Sequence, residues 1–211
     1  MKRRGFLQNL AGLTVASAIP GLVPAATGAI EENSEEARAK RRRGRFVNVA
    51  LRTHEDKEVR FYDDLLKDKI VLINMIQAAC ADGSCPLITA NLVRVQQILG
   101  DRIGRDIFMY LISLTPEHDT PEVLRKYAEN FRVKPGWLFL TGKPANIEAV
   151  RRSLGYVIAD RPLEDAIPKR HTGVVRYGIE PLERWGACPA LTNPEAIARY
   201  ISWIEPQGER P

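Results

Sequence analysis

Apolar and polar positions change their spacing several times along the chain, and each spacing names an element. Ile70-Val71-Leu72-Ile73-Asn74-Met75-Ile76 is an almost unbroken apolar run rich in β-branched residues, the pattern of a strand buried on both faces. A second such run over residues 107–114 predicts a second buried strand. Between them the period lengthens: Ile88, Leu92, Val95 and Leu99 recur at helical intervals, with Pro86 in the first turn and Gly100 as a stop. Thr120-Pro121 reads as cap and first turn of another helix, whose face is Val123, Leu124, Tyr127, Ala128 and Phe131. Residues 144–154 form a further helix ending at Gly155, and Asn193-Pro194 opens a last one facing inward with Ile197, Tyr200, Ile201 and Ile204. Shorter strands are predicted at residues 46–51, 59–62, 137–140 and 173–177, the first two as a hairpin. Strands alternating with helices define an α/β domain with a central, partly parallel sheet flanked by helices.

Ahead of that domain the pattern is of another kind. Lys2-Arg3-Arg4-Gly5-Phe6-Leu7 precedes a mild apolar stretch broken by Gly12, Pro20 and Gly21, and small residues follow at Ala25, Ala26 and Ala29. A basic start, a short apolar middle and a small-residue exit describe a secretory signal over residues 1–29, and the paired arginines point to the twin-arginine route. A spanning helix needs about 20 uninterrupted apolar residues, so membrane contact is expected only through this segment, and only if it is retained. Residues 30–45 carry acids first (Glu31, Glu32, Glu35, Glu36) and then Arg38, Lys40, Arg41, Arg42, Arg43 and Arg45. With no apolar partners in the run, a solvated linker is expected. The domain then covers residues 46–205, with a tail at 206–211.

Composition narrows the function classes. A 211-residue chain that is 45% hydrophobic and 27% charged can bury a full core without a disulfide scaffold. The formal net charge is +5, but the first 29 residues hold three cations and no acid, so the remainder carries +2. That leaves no general nucleic-acid footprint. Export puts the cysteines in an oxidising compartment, and Cys80, Cys85 and Cys188 are odd in number. At least one thiol is therefore unpaired, metal-bound or reactive.

Cys80-Ala81-Asp82-Gly83-Ser84-Cys85-Pro86 lies between a buried strand and a helix start. The unpaired N–H groups and positive dipole end of a helix favour thiolate over thiol, and Gly83 permits the tight turn. A disulfide closing so short a loop stabilises weakly, so the pair reads as reactive or metal-binding. The motif itself does not choose between chelating a soft ion and exchanging disulfides.

Four features occur in order along the domain: Val71-Leu72-Ile73-Asn74-Met75 leading into the cysteine pair, Leu111-Ile112-Ser113-Leu114-Thr115-Pro116-Glu117-His118-Asp119-Thr120-Pro121-Glu122, Pro135-Gly136-Trp137-Leu138-Phe139-Leu140-Thr141-Gly142, and a late His171 just before a strand. Together they resemble the Sco/SenC family of copper-binding, thioredoxin-fold proteins that assist cytochrome c oxidase assembly. The resemblance implies a thioredoxin-like fold and copper ligation by Cys80, Cys85 and His171. Two thiolates suit Cu(I), and an imidazole extends the site to Cu(II). It further implies a metallochaperone that turns nothing over, with a cytochrome c oxidase subunit or another copper or thiol protein as partner, in the periplasm. The alternative is a thiol–disulfide oxidoreductase in which Cys80 attacks and Cys85 resolves. A peroxidase fits less well, because Ala78 and Ala79 stand where a peroxiredoxin carries its threonine.

The chain departs from the family pattern in three places. Four residues separate the cysteines where three are usual, Arg170 replaces an acid before His171, and Thr115 replaces an aspartate before Pro116-Glu117. The cations Lys169 and Arg170 tilt the site toward thiolate chemistry. Beside Thr120, His118 and Asp119 read as loop and capping residues, and His54, among charges, as solvated. Trp137, Trp185 and Trp203 read as core or core-edge residues. Cys188 stays open between a resolving or dimer-forming thiol and a small buried residue.

Overall fold

The computed structural model describes residues 25–156 and 173–206. Most of the expected signal segment, and His171, lie outside the described residues. The chain divides into a first unit, Met1–Ala37, and a second, Arg38–Pro211, which holds the entire sheet. The helix α1 (Ala25–Arg45) runs from the end of the expected signal through residues 30–45, expected as a solvated charged linker. Its basic end is anchored. The Arg42 Nε lies 3.3 Å from Glu180 Oε1, close enough to pair but off hydrogen-bond geometry. Glu180 itself is buried, accepting from the Tyr62 hydroxyl (2.7 Å) and the Asp68 N–H (3.0 Å).

Seven strands form one sheet in the order β2-β1-β5-β4-β3-β6-β7: β1 (Ala50–Thr53), β2 (Glu58–Arg60), β3 (Ile70–Ile76), β4 (Ile107–Ser113), β5 (Trp137–Thr141), β6 (Val174–Ile179) and β7 (Arg184–Pro189). The central strands β3, β4 and β5 run parallel, and every other pairing is antiparallel. This is the expected mixed sheet. The further α-helices are α2 (Ser84–Leu99), α3 (Pro121–Asn130), α4 (Pro144–Ser153) and α5 (Pro194–Ile204).

Alternation along β3 divides the interior. Leu72 and Ile76 share a core with Leu92 and Val95 of α2, Leu124 of α3 and Ile197 of α5. Val71, Ile73 and Met75 share another with the wide helical turn Phe61–Leu66 and with Ile147 and Val150 of α4. Covering both faces is what lets β3 be apolar throughout. Each fully buried aliphatic side chain contributes about 1.5–3 kcal/mol. The expected first strand begins later than its pattern suggests: Phe46 packs against Trp185 at 4.8 Å between ring centroids, and the ladder opens only at Ala50. Trp137 is core and Trp185 half-buried at the core edge, as expected, but Trp203 is 61% exposed and is neither.

β7 was not visible in the hydrophobic pattern. It pairs with β6 so that Trp185 lies opposite Gly178 and Gly186 opposite Tyr177. A Cβ on Gly178 would come within 2.3 Å of the Trp185 ring, and one on Gly186 within 2.5 Å of the Tyr177 ring. Each aromatic covers the glycine facing it.

Candidate metal and thiol site

The site grows from the end of β3, where the parallel strands present their C-terminal edge. After Ile76 the chain leaves the sheet, passes Gln77 to Gly83, and enters α2 at Ser84. Gly83 takes the left-handed conformation (φ 73°) at the helix cap, which a glycine adopts without steric cost. Cys80 is half-buried, and Cys85, in the first turn of α2, is fully buried.

Both sulfurs receive backbone N–H groups. Cys85 N–H donates to Cys80 Sγ, and Gln77 N–H donates to Cys85 Sγ, each at 3.4 Å. The Cys80 thiol donates to Asp82 Oδ1 (3.0 Å), which also accepts the Ser84 N–H (2.9 Å). Ser84 Oγ lies 3.7 Å from Cys80 Sγ. Asp82 thus closes the turn and holds Cys80 at once. Cys85 and Cys188 are thiols, not halves of a disulfide.

Burial governs the electrostatics of Cys85. Burial pushes the Cys85 thiol up to about 12, the Gln77 N–H offsets this in part, and Cys80 and Asp82 add to it. The helix terminus alone would have favoured thiolate at Cys85; desolvation wins there. Cys188 lies on β7, opposite Val175, where burial pushes its thiol up to about 11. That matches a small buried core residue.

β6 enters the sheet at Val174, and Val175 pairs with Asn74 of β3. The chain therefore joins the sheet at the edge from which the cysteine loop leaves. His171, three positions before Val174, lies outside the described residues. Among the described residues, no group of three or more His, Cys, Asp or Glu side chains is arranged to hold a metal ion. Two sulfurs in one loop, one of them half-exposed, fit a soft two-thiolate ion in donor chemistry.

Several contributors escaped the sequence reading. Asn74 is fully buried mid-strand, donating from Nδ2 to the Val174 carbonyl (2.7 Å), while its Oδ1 has no hydrogen-bond partner among the described residues. Its signal was one polar residue inside an apolar run. Asp119, expected as a loop or cap residue, is 1% exposed. The cap is Thr120, whose side chain accepts from Val123 N–H. His118 is exposed. On the other side of the pair, Thr89 Oγ1 donates to the Cys85 carbonyl (2.9 Å) and lies 3.0 Å from the Tyr127 hydroxyl. His54 is not solvated as expected: its Nδ1 accepts the Phe139 N–H at 3.2 Å, and its ring meets Phe139 edge-on.

Comparison with known proteins adds to this geometry. The family model described as SCO1/SenC matches residues 38–204. A SCO2-like protein of Rickettsia prowazekii is 33% identical over 90 residues, 43% of this chain and 42% of that protein. The match spans about two fifths of that relative. Among solved structures, ScoI of Bradyrhizobium japonicum with copper bound superposes with a TM-score of 0.57 at 23% identity, covering 75% of this chain and 99% of that one. BsSco, described with a disulfide switch as a member of the Sco family of cytochrome c oxidase assembly proteins, superposes with a TM-score of 0.58 at 22% identity, covering 74% and 90%.

Proposed function

The chain belongs to the SCO1/SenC family, and on that footing we propose that it is an exported copper-handling protein that serves assembly of the copper site of cytochrome c oxidase. Copper is its cargo. Cys80 and Cys85 hold Cu(I) as thiolates, and His171 supplies the nitrogen that extends the site to Cu(II). The observation that carries this reading is the cysteine loop: two sulfurs at the start of α2, each accepting a backbone N–H. Such donors are placed to offset the negative charge a sulfur takes up when a metal displaces its proton, against the burial that holds the Cys85 thiol protonated in the absence of metal. The entry of β6 at the same edge supports His171 as third ligand. Recipients of the cargo are a cytochrome c oxidase subunit or another copper or thiol protein. The basic leader supports a periplasmic location reached by the twin-arginine route.

A second reading has its own observation. Cys80 is the more accessible sulfur and Cys85 the buried one, the order a thiol–disulfide oxidoreductase needs. Cys80 thiolate would attack a substrate disulfide and release one thiolate. Cys85 would then attack Cys80 Sγ and release the second, leaving a Cys80–Cys85 disulfide.

Titration of the reduced protein with Cu(I) against a competing chelator separates the two readings. The copper reading expects one tightly held ion, lost in Cys80→Ala and Cys85→Ala and weakened at least tenfold in His171→Ala. Weak copper binding indifferent to His171, together with turnover of a model disulfide, would replace it with the oxidoreductase.

A further inference from the structure

One carboxylate beside the cysteine loop is buried without being part of the sulfur site. The Asp119 side chain lies between the end of β4 and the cap of α3, and three donors converge on its Oδ2: the Ser113 hydroxyl (2.5 Å), the Thr115 hydroxyl (3.0 Å) and the Ala78 N–H (3.2 Å). A buried carboxylate is tolerated only when its lone pairs are filled, and hydrogen bonds to a charged acceptor are roughly twice as strong as neutral ones. Two of the three donors come from its own loop; Ala78 belongs to the cysteine loop.

We propose that Asp119 is a positioning residue for the cysteine pair: by fixing the Ala78 amide it aims the neighbouring Gln77 N–H at Cys85 Sγ. This inference rests on the reading that Cys80 and Cys85 are the working pair. The Gln77 and Ala78 amides flank a single Cα, so their directions are set by one pair of dihedral angles. One amide is held by Asp119 and the other donates to the sulfur at 3.4 Å. Asp119 is itself held, since its N–H donates to the Thr115 carbonyl (2.9 Å) and the next residue caps α3. Thr115, one of the departures from the family pattern, acts here as a donor to Asp119. Loss of the carboxylate frees the Ala78 amide, misaligns the Gln77 donor and withdraws support from the reduced sulfur.

The test equilibrates the full chain with reduced and oxidised glutathione. Cys80 and Cys85 give up two electrons and two protons to one glutathione disulfide, yielding the protein disulfide and two glutathiones. Asp119→Ala should move this equilibrium at least tenfold toward the protein disulfide. Asp119→Asn, which keeps an uncharged acceptor at the same place, should move it at least threefold. Thr115→Val, which damages the same loop but leaves the Ala78 bond, should stay within twofold of the native chain. Amide exchange at Ala78 should quicken in both Asp119 variants and not in Thr115→Val. If Asp119→Ala does not fold, Asp119→Asn carries the comparison. The proposal is overturned if Asp119→Asn lowers the melting temperature yet leaves the equilibrium within twofold, or if Thr115→Val shifts it as far. No copper enters this measurement, so a failure of the copper reading leaves it standing.

Discussion

At the scale of single residues, His54 shows how a side chain's chemistry is decided by a strand far away in sequence. Its Nδ1 accepts the Phe139 N–H, so the neutral ring carries its proton on Nε2. Burial lowers its pKa below the ordinary 6.5, the nearby Arg125 acting the same way and Glu55, Glu129 and the backbone bond opposing. The neutral form is therefore favoured in the folded state. The stability this confers is fully present above pH 6.5 and is lost as pH falls through the lower folded value. Urea midpoints should accordingly drop between pH 7.5 and 5 by more in the native chain than in His54→Asn, which cannot titrate. Equal drops would show that protonation of another group governs the slope. Nothing in Thr53-His54-Glu55-Asp56 announces this burial, because the group that causes it stands 85 residues on. Asp119 was hidden in part for the same reason, since one of its three donors, the Ala78 N–H, stands 41 residues away. Cys80 and Cys85 were legible because strand, turn, glycine and helix start are consecutive, so their setting is local.

Elements were read most faithfully where the period was long and uninterrupted. β3 and β4 follow from their apolar runs, and α2, α3 and α5 from their faces and their Pro or Asn starts. β7 escaped because Trp185-Gly186-Ala187-Cys188 is a short run with a glycine inside it and no β-branched residue; its strand character comes from crosswise cover of glycine by aromatic on β6. A comparable close approach joins the turn before β4 to the turn before β5. Gly104 and Gly136 both have positive φ, 86° and 88°, and a Cβ on Gly136 would sit 2.4 Å from the Gly104 nitrogen. Backbone cannot yield as a flexible side chain does. Gly136→Ala should therefore destabilise the domain by about 3 kcal/mol or more, combining dihedral strain with overpacking. Gly83→Ala meets no atom within 4 Å and should cost only the strain of its φ, about 1 kcal/mol. Denaturant unfolding of the two variants side by side checks the difference; equal losses would mean the Gly104 contact is relieved by a shift of the turn.

For the molecule as a whole, the folded body reaches further back than the apolar pattern indicates. Residues 38–45 read as solvated because they lack apolar partners, but their partners are acids: Arg41 meets Glu183 at 3.1 Å, Arg43 meets Asp63 at 3.4 Å, and Arg42 meets the buried Glu180. Arg45 adds its guanidinium over the Phe46 and Trp185 rings. These contacts are unequal. Arg41 and Arg43 are about two-thirds exposed, and surface pairs of that kind contribute about 0–1 kcal/mol. Arg42 is 14% exposed against a carboxylate at 1%, and removing one partner of a buried pair costs about 3 kcal/mol because the other charge is left unpaired. A chain beginning at Phe46 should therefore melt roughly 6–12 °C lower than one beginning at Arg38, given about 2–4 °C per kcal/mol for a domain of this size. Arg42→Ala in the full chain should reproduce most of that loss, and Arg41→Ala and Arg43→Ala should each shift the midpoint by no more than about 4 °C. If the Phe46 chain melts unchanged, Tyr62 and the Asp68 amide suffice to hold Glu180, and the basic run contributes nothing to the stability of the fold.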